Sequence, residues 1–132
     1  MDPMGLADIA HRYGIELILR FGSTVSGQVH PRSDVDIAIL LNRPALSFRE
    51  HAALAHELQT LFPGQEVDLA QLNRADPLFL KKVTEQCSLL YGPPRRLCEL
   101  KLYAFKRYQD HRKYLALERD YVSRTLGGMT AP

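Results

Sequence analysis

Residues 21–41, FGSTVSGQVHPRSDVDIAILL, constrain the fold more than any other stretch of the chain. Successive side chains of a strand alternate between its two faces. Read as a strand over 34–41, this segment points Val35, Ile37, Ile39 and Leu41 one way, as a continuous apolar face that must be buried. Asp34, Asp36, Ala38 and Leu40 point the other way, and this set begins with two carboxylates that repel each other unless a cation lies between them. Hard oxygen donors of this kind, with phosphate oxygens completing the shell, suit Mg²⁺. Ten residues separate them from Gly22-Ser23. Glycine lets the backbone approach phosphate oxygens without a Cβ in the way. Ser23, at the head of a brief helical turn over 23–26, offers its hydroxyl and free backbone N–H groups.

At 132 residues, with 45% hydrophobic and 24% charged side chains, the chain has the makings of one globular domain. No apolar run approaches the roughly 18 residues of a membrane span. The N-terminus, MDPMGLADIAHRYG, has an early acid and no apolar core of a secretory signal. Cys87 and Cys98 lack any zinc-binding spacing and read as reduced thiols that act as small hydrophobes. The expectation is a cytoplasmic protein. The net charge of +2 is uneven: residues 1–94 carry −3 and residues 95–132 carry +5. A basic tail on a slightly acidic body is suited to an acidic partner surface.

Along the chain, the pattern predicts a helix over 3–13 with Asp2 as N-cap, and a buried strand over 15–21. Arg20 in that strand has two readings, a phosphate contact or an exposed edge residue. Ser47 with Glu50 forms a capping box that opens a helix to about residue 62. A third strand covers 66–72, with Val67, Leu69 and Gln71 on one face and Asp68 and Ala70 on the other. Asp76-Pro77 opens a helix to about 86, and a short strand covers 88–91. From 95 to 126 nothing breaks a helix, which is either continuous or folded back near Gln109-Asp110. One line of it carries Leu97, Leu100, Ala104, Tyr108, Leu115, Val122 and Leu126, and another carries Tyr103, Tyr114, Leu117 and Tyr121. That is more apolar surface than so small a body needs, which points to a protein partner. The division expected is a body at 1–94 and a helical, partner-binding tail at 95–132. The fold class is α/β (α+β), a mixed sheet of about four strands flanked by helices.

Gripped polyphosphate, paired carboxylates and a third acid are what nucleotidyl transfer requires. Two metal ions about 3.5–4 Å apart can serve the attacking oxygen and the leaving pyrophosphate together. Asp34 and Asp36 can bridge such a pair, while Asp68, in the apolar setting EVDLA, completes the attacking-side site or accepts the proton. Ser33 either adds a hydrogen bond beside the metals or caps its loop. The five histidines show no zinc spacing, and His30 is a minor candidate for a nucleotide contact because of its loop. The basic run at 106–107 and 112–113 contains no RNA-binding motif and is interrupted by acids, so direct nucleic-acid binding is not expected.

The pattern GSx10DxD, here Gly22-Ser23 with Asp34 and Asp36, followed by Asp68, resembles the nucleotidyltransferase superfamily of DNA polymerase β. Within it, residues 5–92 and the basic, Tyr-rich tail resemble the minimal nucleotidyltransferases, the MntA-type antitoxins of HEPN–MNT toxin–antitoxin systems. The resemblance implies a polymerase β-like fold, Mg²⁺, and ATP as substrate. It implies transfer of AMP to a tyrosine hydroxyl of a cognate HEPN ribonuclease toxin, which neutralises it. By position, Gly22 and Ser23 would bind the triphosphate, and Asp34, Asp36 and Asp68 would hold metal. Only about 40 residues follow the fourth strand, few for a packed acceptor domain, so the acceptor is expected to arrive on another protein. Two other functions fit the residues: a small-molecule nucleotidyltransferase of the aminoglycoside-modifying kind, and an antitoxin that acts by binding alone.

Overall fold

Apolar alternation and helix caps set the elements, and a computed structural model of the chain describes residues 3–22 and 34–129. Helix α1 (Pro3–Tyr13) runs into strand β1 (Ile15–Phe21), and β2 (Val35–Leu41) follows. Helix α2 (Phe48–Leu61) leads to β3 (Val67–Gln71), and α3 (Pro77–Glu85) to β4 (Cys87–Tyr91). The expected Asp2 cap and the helical turn at 23–26 lie outside the described residues. The sheet is mixed, in the order β3-β2-β1-β4. β1 is antiparallel to both β2 and β4, while β2 and β3, joined through α2, are parallel.

Both faces of this sheet are covered, each by its own apolar core. Val35, Ile37, Ile39 and Leu41 pack with Ile18 under α1 and α2, where Leu6, Ile9, Leu54 and Leu58 fill one core. Ala38 and Leu40 join Leu17, Leu19 and Phe21 in a second core, covered by Leu80 and Val83 of α3. Arg20 sits on the first face with its guanidinium 5.8 Å from the centre of the Phe62 ring. It is on an inner strand, not at an edge, and on the face opposite Phe21.

Side-chain amides set the positions of the strand ends. The Gln59 side chain, on α2, accepts a hydrogen bond from the Val67 N–H at 3.0 Å and donates to the carbonyls of Phe62 and Gln65. Asn73 accepts from the Leu41 N–H and donates to the Leu41 carbonyl, each at 2.8 Å. The capping box is formed as expected: Ser47 Oγ accepts from the Glu50 N–H and the Glu50 carboxylate accepts from the Ser47 N–H. Asp76 caps α3 by accepting from the Phe79 N–H at 2.9 Å.

Helix α4 (Pro94–Met129) is one unbroken helix of 36 residues, with no turn at Gln109-Asp110. At 1.5 Å per residue it is about 54 Å long. Its root belongs to the body: Leu100 and Ala104 are buried in the second core, Leu97 packs beside them, and Arg96 pairs with Glu16 of β1 at 3.0 Å. The division at 94/95 therefore runs between α4 and residues it packs against. Beyond Tyr108, whose ring lies 4.8 Å from the Lys81 ammonium, the same apolar line emerges from the body. Leu115, Val122 and Leu126 are exposed, as are Tyr114, Leu117 and Tyr121, the last two at 70%. Cys87 is half-buried and Cys98 is exposed, so only Cys87 serves as a packing hydrophobe. No helix among the described residues is long and apolar enough to cross a membrane.

Candidate active site

One edge of the sheet collects the chemistry. The parallel pairing sets Val35 opposite Val67 and Asp36 opposite Asp68, and the antiparallel pairing sets Phe21 opposite Asp36. Two acids 32 positions apart in sequence are thus brought level on neighbouring strands, on the α3 side of the sheet. They line a cleft of about 660 Å³ together with Phe21, Gly22, Leu69, Ala70, Phe79, Lys82 and Gln86. Phe21 and Phe79 meet edge to face, with ring centres 5.8 Å apart, and make one apolar wall.

Gly22 closes β1 with φ at +88°, a conformation L side chains rarely adopt. A Cβ added there would collide with the Asp36 carboxylate. Glycine therefore leaves room for the Asp36 carboxylate, a role the sequence pattern does not reveal. Partial burial pushes the Asp36 carboxyl above its ordinary range, and the charges of Asp68 and then Asp34 push it the same way; Lys82 acts in the opposite sense. Asp34 stands exposed just before β2, near enough to act on Asp36 through its charge.

Among the described residues no three His, Cys, Asp or Glu side chains are gathered closely enough to hold a metal ion. The structure brings Asp36 and Asp68 together and leaves Asp34 at the rim. Ser23 and Ser33, the other expected nucleotide contacts, and His30 lie outside the described residues. The donor set suits a hard divalent cation: oxygen ligands in register, with crowded negative charge that a cation would relieve.

A family model described as polymerase beta, nucleotidyltransferase matches residues 5–96. The chain belongs to the polymerase beta nucleotidyltransferase family. No functionally curated protein matches this nucleotidyltransferase. Among solved structures, a chain from a toxin–antitoxin crystal structure with AMP-PNP superposes with a TM-score of 0.75 at 24% identity, over 92% of this chain and 98% of that one. A chain from a tri-AMPylated Shewanella oneidensis HEPN toxin in complex with MNT antitoxin gives 0.68 at 22% identity, over 91% and 94%. A crystal structure of the toxin–antitoxin MntA–HepT gives 0.68 at 20% identity, over 91% and 95%. The shared fold extends beyond the family-matched region, since it covers over nine-tenths of the nucleotidyltransferase.

Sequence reasoning missed three cleft residues. Phe79, Lys82 and Gln86 recur on α3 and its end at steps of three and four, one stripe of a helix beside the buried Leu80 and Val83. That spacing, one connection downstream of Asp68, was the available signal.

Proposed function

We propose that this nucleotidyltransferase transfers AMP from ATP to a tyrosine hydroxyl of a HEPN-type toxin in the cytoplasm, and so acts as that toxin's antitoxin. The observation that carries the reading is the level pair Asp36 and Asp68, in a cleft beside Gly22, on a chain that shares its fold almost end to end with chains of toxin–antitoxin complexes. One of those complexes holds a tri-AMPylated HEPN toxin.

Gly22 and Ser23 hold the polyphosphate against the end of β1, and the Phe21–Phe79 wall excludes water from one side of the cleft. The tyrosine oxygen attacks the α-phosphorus, the bond from that phosphorus to the β-phosphate oxygen breaks, and pyrophosphate leaves. Asp68, exposed at the mouth, is placed to accept the phenolic proton. Asp36 and Asp68, joined by Asp34 from the rim, are the residues that would hold Mg²⁺, which when bound would offset the triphosphate charge and lower the pKa of the attacking hydroxyl. The toxin docks on α4 beyond Tyr108, where the apolar and tyrosine-rich lines face solvent and aromatic anchors suit an interface core.

The test is the intact mass of a HEPN-type toxin after incubation with this chain and ATP-Mg. Mass increments of whole AMP units, absent with Asp36→Asn, are expected. An unmodified toxin that is nevertheless neutralised would leave an antitoxin acting by binding alone.

A further inference from the structure

Two adjacent lysines of α3 are used differently. Lys81 forms an ion pair with Glu85 and lays its ammonium over the Tyr108 ring, tying α3 to α4. Lys82, about 100° further round the helix, lines the cleft with Gly22, Asp36 and Asp68. Among the described residues it makes neither an ion pair nor a hydrogen bond, although two carboxylates share its cleft.

That arrangement leaves a charge problem for any polyphosphate ligand. Asp36 and Asp68 repel it, and Phe21, Leu69, Ala70 and Phe79 offer it nothing electrostatic. Among the described cleft-lining residues, Lys82 alone is cationic. An adenine or a tyrosine acceptor brings no negative charge to meet an ammonium, whereas the terminal phosphates bring most of the ligand's charge. Breaking the α–β bond concentrates still more on the departing pyrophosphate, where an ammonium stabilises it further.

Resting on the nucleotidyl-transfer reading above, we propose that Lys82 grips the β- and γ-phosphates of the bound nucleoside triphosphate. The α3 wall then distinguishes a triphosphate from a monophosphate, while Gly22 and the carboxylates act at the end of the sheet.

The test compares full-length wild type, Lys82→Gln and Lys82→Arg in equilibrium dialysis with Mg²⁺ and either α,β-methylene-ATP or AMP. Lys82→Gln should bind the triphosphate analogue about ten-fold more weakly, the scale of one charge-assisted hydrogen bond. AMP binding should be unchanged, and Lys82→Arg should restore most of the loss. Unchanged analogue binding in Lys82→Gln, or equal weakening of both nucleotides, overturns the proposal while nucleotidyl transfer stands. If wild type binds neither nucleotide, the functional reading fails and this inference falls with it.

Discussion

Replacing Gly22 with alanine tests whether the end of β1 and the Asp36 carboxylate are fitted to each other. Two costs arise. The backbone conformation, with φ at +88°, costs a non-glycine residue about 1–2 kcal/mol. The new methyl also meets Asp36 Oδ2, so the carboxylate must leave its rotamer at about 0.5–1.5 kcal/mol. Gly64 supplies the control, with φ at +81° and open space where its Cβ would stand. The entropy that alanine removes from the unfolded chain is common to both and cancels. Urea denaturation should therefore show Gly22→Ala to be about 1 kcal/mol more costly than Gly64→Ala, or about 4 °C lower in Tm. In an Asp36→Ala background the nearest remaining atom is the residue 36 Cβ at 3.6 Å, an ordinary contact, and the excess should vanish. Activity should fall much further than stability, because the displaced carboxylate no longer stands level with Asp68; misplacement of about 1 Å can cost about 100-fold. Equal costs at the two glycines, or an excess that survives Asp36→Ala, would refute the fitted contact.

Asp36→Asn should abolish transfer yet raise the urea midpoint in metal-free buffer. A carboxyl whose folded value lies above its unfolded one contributes stability at low pH and loses it as pH rises, and the amide escapes that loss; a lower midpoint contradicts this. Magnesium should raise the Tm of wild type, reversibly with chelator, and do little for Asp36→Asn, as a calorimetric titration would show. Glu50 is held down at about 2, first by the Arg43 guanidinium and then by the Ser47 N–H. Its contribution is present above pH 4.5, its unfolded value, and is lost as pH falls toward about 2. Glu50→Gln should therefore flatten stability between those values, and an unchanged acid limb speaks against the ion pair. Truncation after Asp110 should keep the Tm within a few degrees, because Leu100 and Ala104 remain in the core, yet abolish capture of the toxin. Truncation after Pro94 removes both and should unfold the body; a stable 1–94 fragment counts against that packing.

Element positions were legible because periodicity and caps are local signals. Ser47 with Glu50, Asp76 with Pro77, and the alternation of 35–41 each name their element without knowledge of the rest of the chain. The acids and Gly22 were legible for the same reason, as a fixed spacing on an apolar strand. What remained hidden depends on tertiary arrangement. Nothing in 34–41 tells that Ala38 and Leu40 face a second covered side, since a single apolar residue fits either environment. The Gly22–Asp36 fit joins two strands across a connection, and Lys82 joins the site from a helix with no motif of its own. Apolar periodicity in α4 continues unchanged from Leu100 to Leu126, although the first is buried and the second exposed. Pattern shows which face of a helix is sticky, but not how much of the helix has a body beneath it.

The Gln59 clamp has a consequence for how this chain can vary. A strand shifted by one position turns every side chain to the opposite side, so a single residue inserted between α2 and β3 would turn Asp68 away from Asp36. By fastening the Gln65 carbonyl and the Val67 N–H to α2, one glutamine of that helix acts as a gauge for the register of Asp68 against Asp36. A length change between Phe62 and Val67 should accordingly be poorly tolerated.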